Sequence, residues 1–182
     1  AGGPVLPVFE VERPSWLVDG FLWAYSLDTR KSGEFSVKRH PLGVNMIFTR
    51  DTIKAIRFSE KLGRVGSDLL SAEETVIFDN IFSLQAGRIG FVNFAVVNHF
   101  VDERRMTKDW LMKRYEAEGR SKAIAAKVLR KPRIKISFQL TTKITIGWIL
   151  EWFLTEPKRF LMTMRLHGWR RQLVGLWLSN QQ

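Results

Sequence analysis

The stretch Arg88-Ile-Gly-Phe-Val-Asn-Phe-Ala-Val-Val-Asn-His-Phe-Val101 decides how this chain is read, because it separates two regions of opposite character. Rich in Ile, Phe and Val and closing near His99, it has the composition of a β-strand. Residues 1–102 hold 11 Lys and Arg against 12 Asp and Glu, whereas residues 103–182 hold 18 against 6. The second region therefore supplies all of the net charge of +11. A segment this basic attracts polyanions, whether nucleic acid, anionic lipid or a phosphorylated substrate, and charge alone does not choose among them.

Downstream of the strand the spacing predicts a long basic helix over about Glu103–Leu129. After Pro132 two further helices are expected, divided at Pro157, with Arg133–Leu140 readable as a strand instead. Upstream, Val5, Val8, Phe9 and Val11 read as an edge strand, Trp16 to Tyr25 as a helix capped by Ser15, and Asp28–Lys38 as an exposed loop. Gly43–Phe48 suggests a strand and Asp51 an N-cap. Ser71-Ala-Glu-Glu74 fits a capping box opening a helix to about Leu84, ended by Gly87.

Composition excludes several functions. With 182 residues, 45% of them hydrophobic and 26% charged, the chain can bury a core and is neither disordered nor polytopic in a membrane. Cysteine is absent, which removes disulfides, thiolate metal sites and cysteine nucleophiles, and three histidines are too few for a histidine-rich metal cluster. The best apolar run, Ile144 to Leu154, is shorter than the roughly 20 residues a spanning helix needs and carries Glu151. The chain opens on Ala1 with no basic leader and reads as an internal start.

Glu73 and Glu74 at a helix start, and His99 at a strand end, are the residues with chemical potential. Taken singly each has an ordinary explanation: carboxylates compensate a helix dipole, and a lone histidine on an apolar strand is usually structural.

Their order in the chain says more. Gly43-Val-Asn45-Met-Ile-Phe48-Thr-Arg50, then Leu62-Gly63-Arg64-Val-Gly66, then Glu73-Glu74, then the strand closing on His99 form an ordered series. This series resembles the C-terminal half of family 2 glycosyltransferases of the GT-A fold, and Arg105, Trp110, Arg114 and Gly119-Arg120-Ser121 are similar to the helix that follows in a bacterial branch. The resemblance covers about residues 1–125. It implies an α/β fold: an incomplete GT-A-like mixed sheet with an appended basic helical region.

It also implies inverting transfer of a sugar from a nucleotide-sugar donor to a hydroxyl acceptor on a glycan or lipid, in cell-envelope or polysaccharide synthesis. Glu74 falls where the family has its general base, more often Asp, and Glu73 where it has a supporting acid. His99 falls where a late histidine joins the metal or diphosphate shell, which points to Mn²⁺ or Mg²⁺ in the complete enzyme. Gly43, Asn45, Arg105, Trp110, Arg114 and Arg120 are the expected substrate contacts, the arginines facing the departing diphosphate. Asn93 stands where the family usually has proline. The family's nucleotide-binding half with its Asp-x-Asp is not found, so the resemblance implies a missing N-terminal partner and no activity without it.

The expected divisions are 1–102 as the acceptor-side half, 103–131 as a basic helix packed on it, and 132–182 as an aromatic and basic tail. In that tail Trp148, Trp152, Phe153, Phe160, Trp169 and Trp177 alternate with Lys and Arg. Such a tail either lies on an anionic membrane surface or packs on the domain. The first option would place a cytoplasmic protein at the inner face of the plasma membrane. Two rivals remain: a noncatalytic or split subunit of such an enzyme, and a basic nucleic-acid-binding module. No recognised nucleic-acid motif is present, so nucleic acid is not an expected partner.

Overall fold

Val5, Val8 and Phe9 do form the expected strand, β1 (Val5–Phe9), in the computed structural model, which describes residues 1–29, 40–64, 66, 68–84 and 88–178. It pairs in parallel with β2 (Val97–Val101), Val5 opposite Val97 and Phe9 opposite Val101. Only the last third of the strand expected over 88–101 is therefore extended. The backbone N–H of Ala95 closes a turn onto the carbonyl of Val92, and Phe91 keeps one isolated bridge to Gly2.

The stretch 43–48 is likewise a turn, closed by Asn45 N–H on the carbonyl of Leu42, with a single bridge from Met46 to Gly2. Among the described residues the sheet thus has two strands and scattered bridges where a GT-A-like mixed sheet was expected. The chain is α/β.

Thr49, not Asp51, caps α1 (Arg50–Ala55), accepting from Thr52 N–H through its hydroxyl. The helix expected near Trp16 is a 3-10 helix, Asp19–Tyr25, preceded by Val18 rather than capped by Ser15. Asp28, expected in an exposed loop, is buried and bridged to Val5. The rest of that loop beyond Thr29, and Gly87 as a helix end, lie outside the described residues.

The C-terminal helices are α3 (Lys108–Val128), α4 (Arg133–Glu151) and α5 (Lys158–Trp177). Arg133–Leu140 is helical, because Ile136, Leu140, Ile144 and Gly147 fall on one face at helical spacing. Glycines bring α3 and α5 together: a Cβ on Gly119 would run into the carbonyl oxygen of Gly168, and one on Gly175 would stand 2.8 Å from Ala123 Cβ. Ala123, Ala126, Leu140 and Leu176 close the core of this helical unit. A second core joins it to the sheet, where Leu17, Phe21 and Tyr25 of the N-terminal region meet Val101, Leu111, Tyr115 and Met164. A third, around Ile77, Phe78 and Ile81, holds α2 (Glu73–Ser83) against Ile56 and Ile89.

Candidate active site

The start of α2 is where the expected site residues gather, and the local backbone explains how. Ala72 takes a left-handed conformation, φ 70°, which L-residues adopt at a cost of about 1 kcal/mol. The capping box does not form. Ser71 instead donates its hydroxyl hydrogen to Glu118 Oε2 at 2.9 Å, and its N–H to the hydroxyl oxygen of Ser121 at 2.9 Å. With Ser71 fastened to α3, its hydroxyl does not cap α2, while the Glu74 carboxylate keeps a bond from its own backbone N–H.

Glu73 is walled by glycines. A Cβ on Gly43 would lie 3.7 Å from its Oε1, and one on Gly63 would lie 3.9 Å from its Oε2, so neither position holds a side chain that could cover the carboxylate. Gly63 stands at φ 95°, a conformation that favours glycine. Oε2 of Glu73 and Oε2 of Glu74 are both buried and have no hydrogen-bond partner among the described residues. Burial first, and the adjacent Glu73 charge second, push the Glu74 carboxyl up to about 7. Two acids this close do not both ionise readily, so Glu74 exchanges its proton near neutral pH.

One cation, Arg64, interacts with the pair directly, and Arg105 and Arg114 are linked to it through Arg64. Arg64, exposed at the rim beside Gly63, acts electrostatically on Glu73, Glu74 and Arg114, and also on Arg105 and His99. Arg114 is buried on α3, with Nη1 3.0 Å from Glu118 Oε2 and its guanidinium 5.1 Å from the centre of the Trp23 ring. Arg105 rests 4.9 Å above the Trp110 ring, which itself stacks on Tyr25 at 5.2 Å. These aromatic faces orient the two guanidinium planes. Nε and Nη2 of Arg105 and Nε of Arg114 are buried without hydrogen-bond partners among the described residues, which leaves them as donors aimed at no protein acceptor.

His99 belongs to the same cluster. Its Nε2 lies 3.3 Å from Arg105 Nη1, and burial, then Arg105 and Arg64, hold its pKa below the usual histidine value. The imidazole is therefore neutral at pH 7. As a metal ligand it fits poorly: the described residues contain no group of three His, Asp or Glu that could hold an ion, and its Nε2 faces a guanidinium. Any further donors would have to come from elsewhere.

Two expected contacts fall outside the cluster. Asn45 is buried, and its amide hydrogens go to the carbonyls of Pro4 at 2.9 Å and Ala95 at 2.7 Å. It ties the entry to β1 to the loop before β2 and has no hydrogen left for a substrate. Asn45→Ala should therefore cost about 2 kcal/mol in urea unfolding, with two buried carbonyls unpaired. An unchanged midpoint would show the clamp to be dispensable. Arg120 is exposed and pairs with Asp68 at 3.1 Å. Trp110 lies as a platform under Arg105.

Arg64 and Glu118 were not singled out beforehand. The flanking Gly63 and Gly66 were the signal for the first, and the i, i+4 spacing of Arg114 and Glu118 on one helix for the second.

Comparison with known proteins bears on this cluster. Over 125 residues the chain is 30% identical to a glucosyl-dolichyl phosphate glucuronosyltransferase of Haloferax volcanii, an alignment taking in 68% of this chain and 40% of that protein. This likeness supports a glycosyltransferase family for the chain. The chain spans well under half the length of that relative. No protein-family model matches it, and no solved structure does.

Proposed function

We propose that this chain carries the acceptor-activating part of an inverting, family 2-like glycosyltransferase. In this reading Glu74 takes the proton from an acceptor hydroxyl as that oxygen attacks the anomeric carbon of a nucleotide-sugar. The observation that carries the reading is the half-buried Glu73–Glu74 pair, each with an unpartnered Oε2, near Arg64 and in one cluster with Arg105 and Arg114, whose Nε atoms have no acceptor among the described residues. A base poised near 7 is half ionised at neutral pH and strong enough to accept a proton in the transition state. Arg64, Arg105 and Arg114 would offset the charge that develops on the leaving diphosphate.

The relative's name gives a glucuronosyl group as what it transfers and a glucosyl-dolichyl phosphate as what receives it. For this chain we infer the same broad class: a nucleotide-activated sugar as donor and a hydroxyl of a lipid-linked saccharide or glycan as acceptor. A divalent ion, as the family resemblance implies, would assist the leaving group; the residues described here supply at most His99 to it, and no step assigned above depends on it.

The test is the pH dependence of nucleoside diphosphate release from UDP-glucuronate and other UDP-sugars with a lipid-linked saccharide acceptor. Activity should rise with pH as Glu74 loses its proton, with a midpoint of about 7. Glu73→Gln removes the neighbouring negative charge, so the midpoint should move to lower pH. A profile that does not respond to Glu73→Gln would exclude Glu74 as the base.

A further inference from the structure

The outer face of α4 has no partner among the described residues. Ile136, Leu140, Ile144 and Gly147 turn inward toward the other helices, while Ile134, Phe138 and Ile149 lie on the opposite side at helical spacing and continue into Trp152 and Phe153 at the elbow before α5. Trp152 is 85% exposed, Phe153 81%, Ile134 78% and Phe138 75%, values that no core packing explains. An apolar row of this length on a solvent face marks a binding surface.

Its surroundings select the partner. Residues 131–178 contain nine Lys and Arg and two Glu. One of the two, Glu151, turns inward and accepts the Thr163 hydroxyl hydrogen. Arg133 and Lys135 stand at one end of the apolar row, and Lys158 and Arg159 follow the aromatic elbow at the other, all four exposed; Lys131 is paired with Asp79 at 2.9 Å. The middle of the row is lined by uncharged Thr141, Thr142 and Thr145, all exposed. A surface with exposed aromatic and aliphatic side chains toward both ends, uncharged threonines between them and cations at both ends complements a bilayer interface carrying negative headgroups. A protein partner would have to be acidic and apolar together over about 28 Å, the length of a 19-residue helix.

We infer that α4 and its elbow form an interfacial anchor: the helix lies in the plane of an anionic membrane, with Trp152 and Phe153 inserted at headgroup depth and the flanking lysines and arginines on the phosphates. Among the described residues no helix is long and apolar enough to cross a membrane, so the contact is one of lying on the surface. The inference stands on α4 alone and does not depend on the glycosyl-transfer reading.

Flotation of the chain with phosphatidylcholine vesicles, with and without phosphatidylglycerol, tests it. The chain should float with the phosphatidylglycerol vesicles and much less with the neutral ones. The double variant Trp152→Glu, Phe153→Glu should lose at least about tenfold in partitioning. Because both side chains are exposed, its circular dichroism and Tm should match those of the parent, so loss of binding is not loss of fold. Lys158→Glu with Arg159→Glu should abolish the preference for phosphatidylglycerol. No flotation on either vesicle, equal flotation on both, or undiminished flotation of the aromatic double variant would each overturn the anchor. So would a concentration-dependent dimer, broken by the double variant, that does not float.

Discussion

Replacing Glu74 with glutamine is expected to lower glycosyl transfer by about 10²–10⁴-fold, the range lost with a general base, while leaving donor binding in place. The same change should stabilise the protein at alkaline pH, and the sign follows from the direction of the shift. Burial and Glu73 raise the folded-state pKa to about 7, above the ordinary glutamate value of 4.5. The folded protein therefore holds this proton more tightly than the unfolded chain does. Its contribution to stability is full below the unfolded pKa and is lost as pH rises through about 7. Above that, ionising this largely buried carboxyl is a net cost, on the order of 3 kcal/mol, that a neutral glutamine does not carry. Urea unfolding at pH 5 and pH 8.5 should show little difference at the lower pH and a more stable variant at the higher. Near-normal turnover would remove Glu74 from the mechanism. An equal effect at both pH values would mean that its carboxyl is not held up by burial.

The second large effect concerns Arg114. Burial by itself would raise the pKa of Glu118, yet Lys122, Arg114 and the Ser71 hydroxyl together bring it below the usual glutamate value. Glu118 is thus held as a largely buried anion, its side chain 19% exposed, and Arg114 is one of the charges that makes this tolerable. Arg114→Met should destabilise the protein by about 2 kcal/mol, because it removes one of the two cations paired with Glu118, Lys122 at 3.1 Å being the other. It should also weaken binding of inorganic diphosphate, since Arg114 Nε is one of the free donors of the cluster. Adding Glu118→Gln to Arg114→Met should recover much of the stability and none of the diphosphate affinity. That split separates a structural ion pair from an anion-binding residue. If the double variant is no more stable than the single one, the two charges are not coupled.

Both predictions depend on α3 touching the start of α2 through Ser71, Arg114, Glu118 and Ser121. A glutamate pair at a helix start is ordinarily a capping device. Here the serine that would complete the cap is drawn to α3, and Ala72 at the start of α2 accepts a strained conformation. Strain of this kind is common where a site must be held in one geometry. The aromatic supports have a related effect: Trp110 under Arg105 and Trp23 beside Arg114 fix the guanidinium planes without consuming their donors.

Much of this protein could be read from local pattern. The charge division near residue 102, the long helix after it, the break at Pro132 and the division at Pro157 follow from composition and from the backbone restrictions of proline, which act over a few residues. The acidic pair, the histidine and the arginines of α3 were legible as an ordered series. What the sequence could not decide were events between distant segments. Whether 88–101 is one strand or a turn and a short strand depends on its partners, and β1 offers it only five residues. Whether Ser71 caps α2 or bonds to Glu118 depends on a helix 47 residues away. Asn45 was legible as polar and not as a clamp, because its partners, Pro4 and Ala95, adjoin it only once the chain has folded. Hydrophobic periodicity and turn chemistry are properties of neighbours in the chain, whereas a shifted pKa, an unpaired donor or an uncovered helix face is a property of neighbours in space.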